Sequence, residues 1–265
     1  MITGGMGGMG INRGFTIAVS GKGGVGKTNL SALLVKHLSG QRPVLAIDAD
    51  PDSNLPQALG VKVRKEVGGL RETIVGAPAR SIEASDKLKA LEMALHEVVE
   101  ETPKFDLVVM GRSEGAGCYC AINTILRQVI DAKANNYDFT VIDCEAGLEH
   151  LSRRTTRDVD LMIAVTDATT NGVLTAKRVQ ELSRELCVSF GEVMVVANKV
   201  TPETRPLLDD TARQNDLKIA AYIPYDPEIA SFDLSGRPIV GLPESSPASM
   251  AAMEICQRII GLARA

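Results

Sequence analysis

The sequence predicts an α/β fold with a mostly parallel central sheet flanked by helices on both faces. Three observations carry that expectation. Apolar runs alternate with helical patterns from Phe15 to the C-terminus. The runs are continuous Val/Ile/Leu stretches such as FTVID and LMIAVT, the pattern of strands buried on both faces. The first run breaks into a glycine-rich loop and restarts as a helix. Alternation of this kind implies strand–helix–strand units and a parallel sheet.

Taken in order, strands are expected at 15–20, 43–48, 105–111, 138–143, 160–166, 192–198 and 217–223. Helical periodicity fills 28–39, 121–134, 171–187, 202–214 and 247–263. Residues 53–104 are the least regular part, with a helical stretch from Ser85 to Glu100 and a mixed-charge, solvated segment from Lys62 to Glu72. Their position after a carboxylate cluster makes them a candidate mobile region. Residues 1–14, rich in Gly and Met, read as a flexible N-terminal segment, and 15–265 as a single domain. The thioethers of Met1, Met6 and Met9 are soft-metal donors, but a floppy tail is the plainer reading.

Composition excludes several functions. A net charge of −4 offers no electrostatic footprint for nucleic acid or anionic membrane. Aromatics are 3% of the chain with no Trp, too few for base-stacking platforms along a single strand. No stretch approaches the roughly 20 apolar residues of a membrane span, and the start lacks the apolar core of a signal peptide. Five cysteines, an odd number in a chain of 265 residues, suggest a reducing, cytoplasmic setting with thiols buried or metal-bound.

The strongest local signal is FTIAVSGKGGVGKT, residues 15–28. Four glycines between Gly21 and Gly26 let successive backbone N–H groups turn toward one anion, and the helix start adds partial positive charge. In this G-x-x-x-x-G-K-[ST] setting the loop residues Gly23, Gly24, Val25 and Gly26 cradle phosphates, with Asn29 following. Lys27 reaches the β- and γ-phosphates, and the Thr28 hydroxyl ligates Mg²⁺. Lys22 is a second lysine that phosphate binding within one chain does not require.

Carboxylates cluster where the strands end. Asp48, Asp50 and Asp52 follow PVLAI at the C-terminal edge, where open α/β sheets bind ligands. Three acids in five residues repel unless a cation absorbs the charge, and Mg²⁺ with a triphosphate supplies one. Asp52 reads better as a solvated loop acid or helix cap. FTVID ends in Asp143-Cys144-Glu145-Ala146-Gly147. Asp143 has the place of an acid that holds Mg²⁺ through water, and Gly147 lets the backbone approach a γ-phosphate.

VMVVANK ends in Asn198-Lys199-Val200-Thr201. This is N-K-x-D with Thr201 replacing the Asp that would accept from guanine, so discrimination for guanine is lost. Asn198 can pair with the N6 and N7 edge of adenine, which favours ATP and ADP as ligands. The later turn Ile223-Pro224-Tyr225-Asp226 is a candidate wall for the base, with a plain turn as the alternative.

KGGVGKT, DADPD and DCEAG together resemble the deviant Walker A group of P-loop NTPases, which contains MinD, ParA, ArsA and the nitrogenase iron protein. The resemblance implies an ATP-dependent sandwich homodimer in which Lys22 crosses to the partner's phosphates. It also implies that Asp50 orients the attacking water while Asp48 and Asp143 help hold hydrated Mg²⁺.

Cys118-Tyr119-Cys120 narrows the choice. In an extended segment residues i and i+2 point the same way, so both sulfurs can reach one metal. Two such pairs across a two-fold axis make a four-thiolate site suited to Zn²⁺ or Ni²⁺. A pair of ordinary semi-buried cysteines is the competing reading. With GKGGVGKT, DADPDSNL, CYC and DCEAGLEH together, the chain resembles the CooC family of carbon monoxide dehydrogenase maturation factors, which includes the accessory ATPase of acetyl-CoA synthase maturation. That likeness implies a nickel-insertion ATPase with Cys118 and Cys120 as the shared metal ligands, and either nickel enzyme as client.

Two alternatives stay open. An ATP-dependent iron–sulfur reductase like the nitrogenase iron protein would hold its cluster with two cysteines per chain, one matching Cys118. Its second ligand should follow the strand-end glycine, where this chain has His150; Cys144 and Cys120 are the nearby thiols. A MinD/ParA-type positioning ATPase would need a basic amphipathic C-terminal helix, and SMAAMEICQRIIGLARA carries few positive charges. Cys187 and Cys256 fall in apolar helical patterns and read as core. His37 and His96 read as surface residues.

Overall fold

The computed structural model describes residues 14–69, 97–112, 126, 133–145, 159–185 and 191–264. Cys118, Cys120, Gly147, His96, His150, Cys187 and most of the expected 121–134 helix lie outside them. Eight strands among the described residues form one sheet: β1 (Phe15–Gly21), β2 (Val44–Ala49), β3 (Val99–Glu101), β4 (Asp106–Val109), β5 (Phe139–Cys144), β6 (Leu161–Thr166), β7 (Glu192–Val200) and β8 (Ile219–Pro224). Their order is β3-β4-β2-β5-β1-β6-β7-β8. Every pairing is parallel except β3 with β4.

The α/β expectation therefore holds, and seven strands fall within two residues of their expected ends. β3 was not expected, because Val99 and Glu100 fall at the end of the stretch read as helical. Its three residues are too few to show a period of two. Tertiary pairing with β4 and burial of Val98, Val99 and Glu100 set its conformation instead. Glu100 accepts from the Arg64 backbone N–H at 2.6 Å and from its guanidinium at 2.8 Å. Part of the segment read as solvated is thus tied to the sheet edge.

The helices are α1 (Lys27–Ser39), α2 (Leu55–Leu59), α3 (Thr170–Glu185), α4 (Thr204–Gln214), α5 (Pro227–Leu234) and α6 (Pro247–Leu262). Alternate strand residues feed two apolar layers. Ile17, Val19, Val141 and Ile163 pack with Leu34 of α1 and Ile255 and Ile259 of α6. Ala18, Ile47, Ile142 and Ala164 pack on the other face with Val173 and Ala176 of α3 and Leu208 of α4. The central strands β5 and β6 are buried along their whole length, which is why their sequences are apolar without alternation.

The C-terminal helix is committed to this core. Ala248, Ala252, Ile255, Cys256 and Ile259 are buried, and the Cys256 thiol lies 3.8 Å from the Leu34 carbonyl. His37 is not a surface residue. It is half-buried between α1 and α6, with Nε2 3.1 Å from the Ser249 hydroxyl. Burial lowers its pKa, and the Lys36 charge adds to the shift. The folded protein therefore binds this proton less readily than the unfolded chain. The stability this confers is complete above the unfolded value of about 6.5 and is lost as pH falls below it. Urea unfolding from pH 7.5 to 5 should show a stability loss in wild type that is shallower in His37→Gln, whose amide can keep the bond to Ser249.

Candidate functional site

The site is built where β1, β2 and β5 end together. Parallel register places Asp48 of β2 directly opposite Asp143 of β5, and Asp143 opposite Val19 of β1. Beyond Val19 the chain turns through the glycine loop into α1. Gly24 and Gly26 have φ of 80° and 92°, which side chains rarely adopt. A Cβ at Gly26 would also lie 2.4 Å from the Asn198 amide nitrogen. Val25 is fully buried and pins the loop to the core.

Asp143 joins the strand end to the first turn of α1. Its Oδ2 accepts from the Thr28 hydroxyl at 2.7 Å and its Oδ1 from the Ser31 hydroxyl at 3.0 Å. The carboxylate is 1% exposed. Burial pushes its pKa up to about 6, against the hydroxyl bonds and Lys27, which pull it down. Ser31 was not singled out from sequence; its place one turn after Thr28 was the available signal.

Asp48 is fully buried, and both oxygens accept backbone N–H bonds, Oδ1 from Asp50 at 3.0 Å and Oδ2 from Leu55 at 2.9 Å. Burial first, and then the neighbouring Asp143 charge, drive its pKa up to about 7. Asp48 thus shapes the Asp50 loop and caps the start of α2. Two buried acids with raised pKa values beside a hydroxyl form an oxygen-rich, cation-seeking environment that suits Mg²⁺. Because all four of their oxygens already accept protein hydrogen bonds, the fit is through water rather than by direct ligation.

Lys27 is nearly buried, and its ammonium lies 3.5 Å from the Lys22 carbonyl. Lys22 itself is half-buried at the mouth of the loop. A cleft of about 490 Å³ opens in front. It is lined by Gly23, Gly24, Gly26, Lys27, Thr28 and Asn29 of the loop and α1, by Asp50, Asp52, Asn54 and Gln57, and by Lys199, Asp233, Arg237 and Ile239. Asp52 is exposed and paired with Arg112 at 2.6 Å. Asp233 and Arg237 carry no recognisable motif, so only the folded chain brings them to the loop.

The side chains expected at the nucleotide base make hydrogen bonds within the protein, and Lys199 also lines the cleft. Asn198 is buried; its Nδ2 donates to the Val25 carbonyl at 2.8 Å and its Oδ1 accepts from the Lys199 N–H at 2.8 Å. The amide expected to read adenine braces the glycine loop, with one N–H and one lone pair beyond these two bonds. Lys199, at φ 58°, donates from Nζ to the Gly24 carbonyl at 2.8 Å. The turn at 223–226 opens helix α5. Asp226 is buried, accepting from the Glu228 N–H at 3.0 Å, the Ala248 N–H at 3.2 Å and the Ser246 hydroxyl, so it caps both α5 and α6. Pro224 and Asp226 are not among the described residues lining the cleft, and Pro224 is exposed.

Cys144 ends β5 beside the loop. It is buried, and burial pushes its thiol up to about 12, the opposite of what a metal-binding thiolate requires. Among the described residues no group of three or more His, Cys, Asp or Glu is arranged to hold a metal. Cys118 and Cys120 lie outside the described residues.

A strand–glycine loop–helix with a buried lysine, a hydroxyl locked to a strand-end acid, and a cleft in front define a P-loop nucleotide-binding domain. The chain belongs to the CobQ/CobB/MinD/ParA nucleotide binding domain family, which it matches over residues 16–239. It is 51% identical over 247 residues to an uncharacterized ATP-binding protein of Methanocaldococcus jannaschii, covering 92% of this chain and 98% of that one. It is 32% identical over 236 residues to the carbon monoxide dehydrogenase accessory protein CooC of Rhodospirillum rubrum, covering 83% and 87%. The septum site-determining protein MinD complexed with Mg-ADP from Pyrococcus horikoshii shares the fold, with a TM-score of 0.68 at 23% identity over 94% of this chain and 97% of that one.

Asn198→Ala should remove a buried bond and leave the Val25 carbonyl unpaired, costing about 1–3 kcal/mol in urea unfolding. Because the amide supports the loop, affinity for ATP and GTP should fall by the same factor. A loss confined to ATP in nucleotide titrations would return Asn198 to the base.

Proposed function

We propose that this protein is an ATP-hydrolysing maturation factor that dimerises with nucleotide and assists nickel insertion into carbon monoxide dehydrogenase or acetyl-CoA synthase. The observation that carries the reading is the Thr28–Asp143–Ser31 constellation behind a loop with a second lysine. In donating its proton to Asp143, the Thr28 hydroxyl keeps its lone pairs for a cation in the cleft. The Thr28 hydroxyl, and Asp48 and Asp143 through water, would hold Mg²⁺, which when bound would supply charge neutralisation to the phosphates. The backbone N–H groups of Gly23 to Thr28 cradle the phosphates, and Lys27 leaves the Lys22 carbonyl for the β- and γ-phosphates. Asp50, at the cleft wall, orients the attacking water. Lys22 of each chain reaches the phosphates of the other.

Nickel is cargo in this reading. Its supports are the C-x-C pair and the similarity to the accessory protein CooC. Four thiolates, Cys118 and Cys120 from each of two chains, would hold Ni²⁺ or Zn²⁺. Hydrolysis would relax Asp143–Gly147 and loosen that site.

A positioning ATPase of the MinD/ParA kind has the fold in its favour. It would need a surface for membrane or nucleic acid. The buried face of α6, with Ala252, Ile255, Cys256 and Ile259, is packed in the core against α1 and β8. Co-sedimentation with liposomes or DNA in the presence of ATP distinguishes the two.

Lys27→Ala should abolish nucleotide binding, whereas Lys22→Ala should still bind ATP but fail to dimerise or hydrolyse it, as read by light scattering and phosphate release. Cys118→Ala with Cys120→Ala should keep the ATPase and lose the metal of the anaerobically purified dimer. Undiminished Ni²⁺ binding by that double variant would remove the metal assignment. A brown protein absorbing near 400 nm would point to an iron–sulfur cluster instead.

A further inference from the structure

We propose that Ser31 is a positioning residue that sets the site's preference for Mg²⁺ over Ca²⁺, by holding the Asp143 carboxylate back from the cation. The inference rests on the nucleotide-binding reading above and deepens it, because it names the side chain that decides which divalent ion accompanies the phosphates.

Thr28 and Ser31 lie one turn apart on α1 and share one carboxylate. Thr28 donates to Oδ2 at 2.7 Å and Ser31 to Oδ1 at 3.0 Å. A carboxylate held at both oxygens by one rigid helix cannot rotate without breaking a bond. Thr28 lines the cleft, whereas Ser31 and Asp143 are not among the described residues that line it. Ser31 is fully buried, so its bond draws the acid toward the body of α1 and away from the phosphate side. The helix explains why the hydroxyl turns there. Leu30, Ala32, Leu33 and Leu34 around it are buried and apolar, and a hydroxyl in such a layer needs a partner. Serine inside a helix often donates back to the carbonyl of the preceding turn. Here the proton goes to an acid 112 positions away instead.

Asp48 is closed in the same way, by the N–H groups of Asp50 and Leu55. A cation beside Thr28 therefore meets a hydroxyl, phosphate and water, and no bare carboxylate. That set suits Mg²⁺, which loses its waters reluctantly and keeps several of them. Ca²⁺ takes carboxylates directly, through one oxygen or both, in a looser shell. Of the groups that close the two acids, two are backbone N–H groups and Thr28 is the cation's own ligand. Ser31 is the side chain whose loss frees a carboxylate oxygen while leaving that ligand in place. Without its bond, Oδ1 of Asp143 can advance and replace a water on the cation, and the exchange favours Ca²⁺.

The test is calorimetric titration of ATP into wild type, Ser31→Ala, Ser31→Cys and Ser31→Thr, with EDTA, with Mg²⁺ and with Ca²⁺. Ser31→Ala should bind ATP in EDTA as wild type does, which also certifies its fold. Its ratio of affinity with Mg²⁺ to affinity with Ca²⁺ should fall about tenfold, the lower end of what loss of an outer hydrogen-bond partner does to a metal site. Cysteine fills the same space with a weak donor, so it should follow alanine, and it carries the test if Ser31→Ala does not fold. Threonine keeps the hydroxyl and should restore the ratio. Electron paramagnetic resonance of Mn²⁺ with ADP, in water enriched with the magnetic oxygen isotope, should count one fewer bound water in Ser31→Ala than in wild type. An unchanged ratio in the alanine and cysteine variants, or losses equal for both ions, would make Ser31 a packing residue and overturn the proposal while leaving the P-loop reading intact. Failure of wild type to bind ATP under all three conditions would overturn both.

Discussion

Two buried carboxylates in register across adjacent parallel strands are the constraint around which this protein is arranged. Asp48 and Asp143 end β2 and β5 side by side with almost no exposure. Like charges that close, out of water, are costly unless each is hydrogen-bonded and some cation or proton answers them. The hydrogen bonds come from different directions. Asp143 takes the hydroxyls of α1, and Asp48 takes the backbone of the loop entering α2. The first turn of α1 and the Asp50 loop are thereby fixed to the strand ends. A site that shares a divalent cation with phosphate uses this arrangement directly, because the cation relieves the repulsion that the fold has built in.

The glycine loop is held from the other side with comparable economy. Asn198 and Lys199 bond the carbonyls of Val25 and Gly24, and Lys27 approaches that of Lys22. Three successive parts of the loop thus have their carbonyls turned toward protein donors, which leaves backbone N–H groups for an anion. Lys199 accepts a left-handed backbone to make its contact. For a lysine that conformation costs of order 1 kcal/mol or more, and the bracing of the loop is what it supports. Asn198 and Lys199 therefore matter for the cradle's shape before any base is present.

How much of this was legible in the sequence follows from the range of each interaction. The strand–loop–helix of residues 15–28 and the acids ending VLAID and FTVID are local patterns, and the fold placed them together as parallel strands of a doubly covered sheet must. Ser31 was missed although it lies only one turn beyond Thr28, because a serine inside an apolar helical pattern looks like tolerated polarity until Asp143 arrives from 112 positions away. β3 was missed because three residues carry too little periodicity, and the buried glutamate in it reads as surface until Arg64 is seen to satisfy it. Asn198 and Asp226 were given the base because motif position suggests a ligand. Their bracing and capping bonds had no sequence signal, because the partners at Val25, Ser246 and Ala248 lie far away in the chain. Asp233 and Arg237 had no signal at all, since a cleft wall needs no spacing in the chain.

Lysines 22, 27 and 199 show how one residue type divides the work at such a site. Lys199 is spent on folding, its ammonium holding Gly24. Lys27 sits nearly buried on a contact 3.5 Å long, weak enough to be exchanged for phosphate. Lys22 contributes its carbonyl to the loop, while among the described residues no hydrogen bond or ion pair engages its ammonium. Ordering this side chain at the mouth of a phosphate cradle carries an entropy cost that no contact among the described residues offsets. In the proposed dimer the offset comes from the phosphates of the opposite chain. In that reading each cradle would be complete only when two chains close, and ATP would be required for closure because without its charge the two faces would present lysine to lysine.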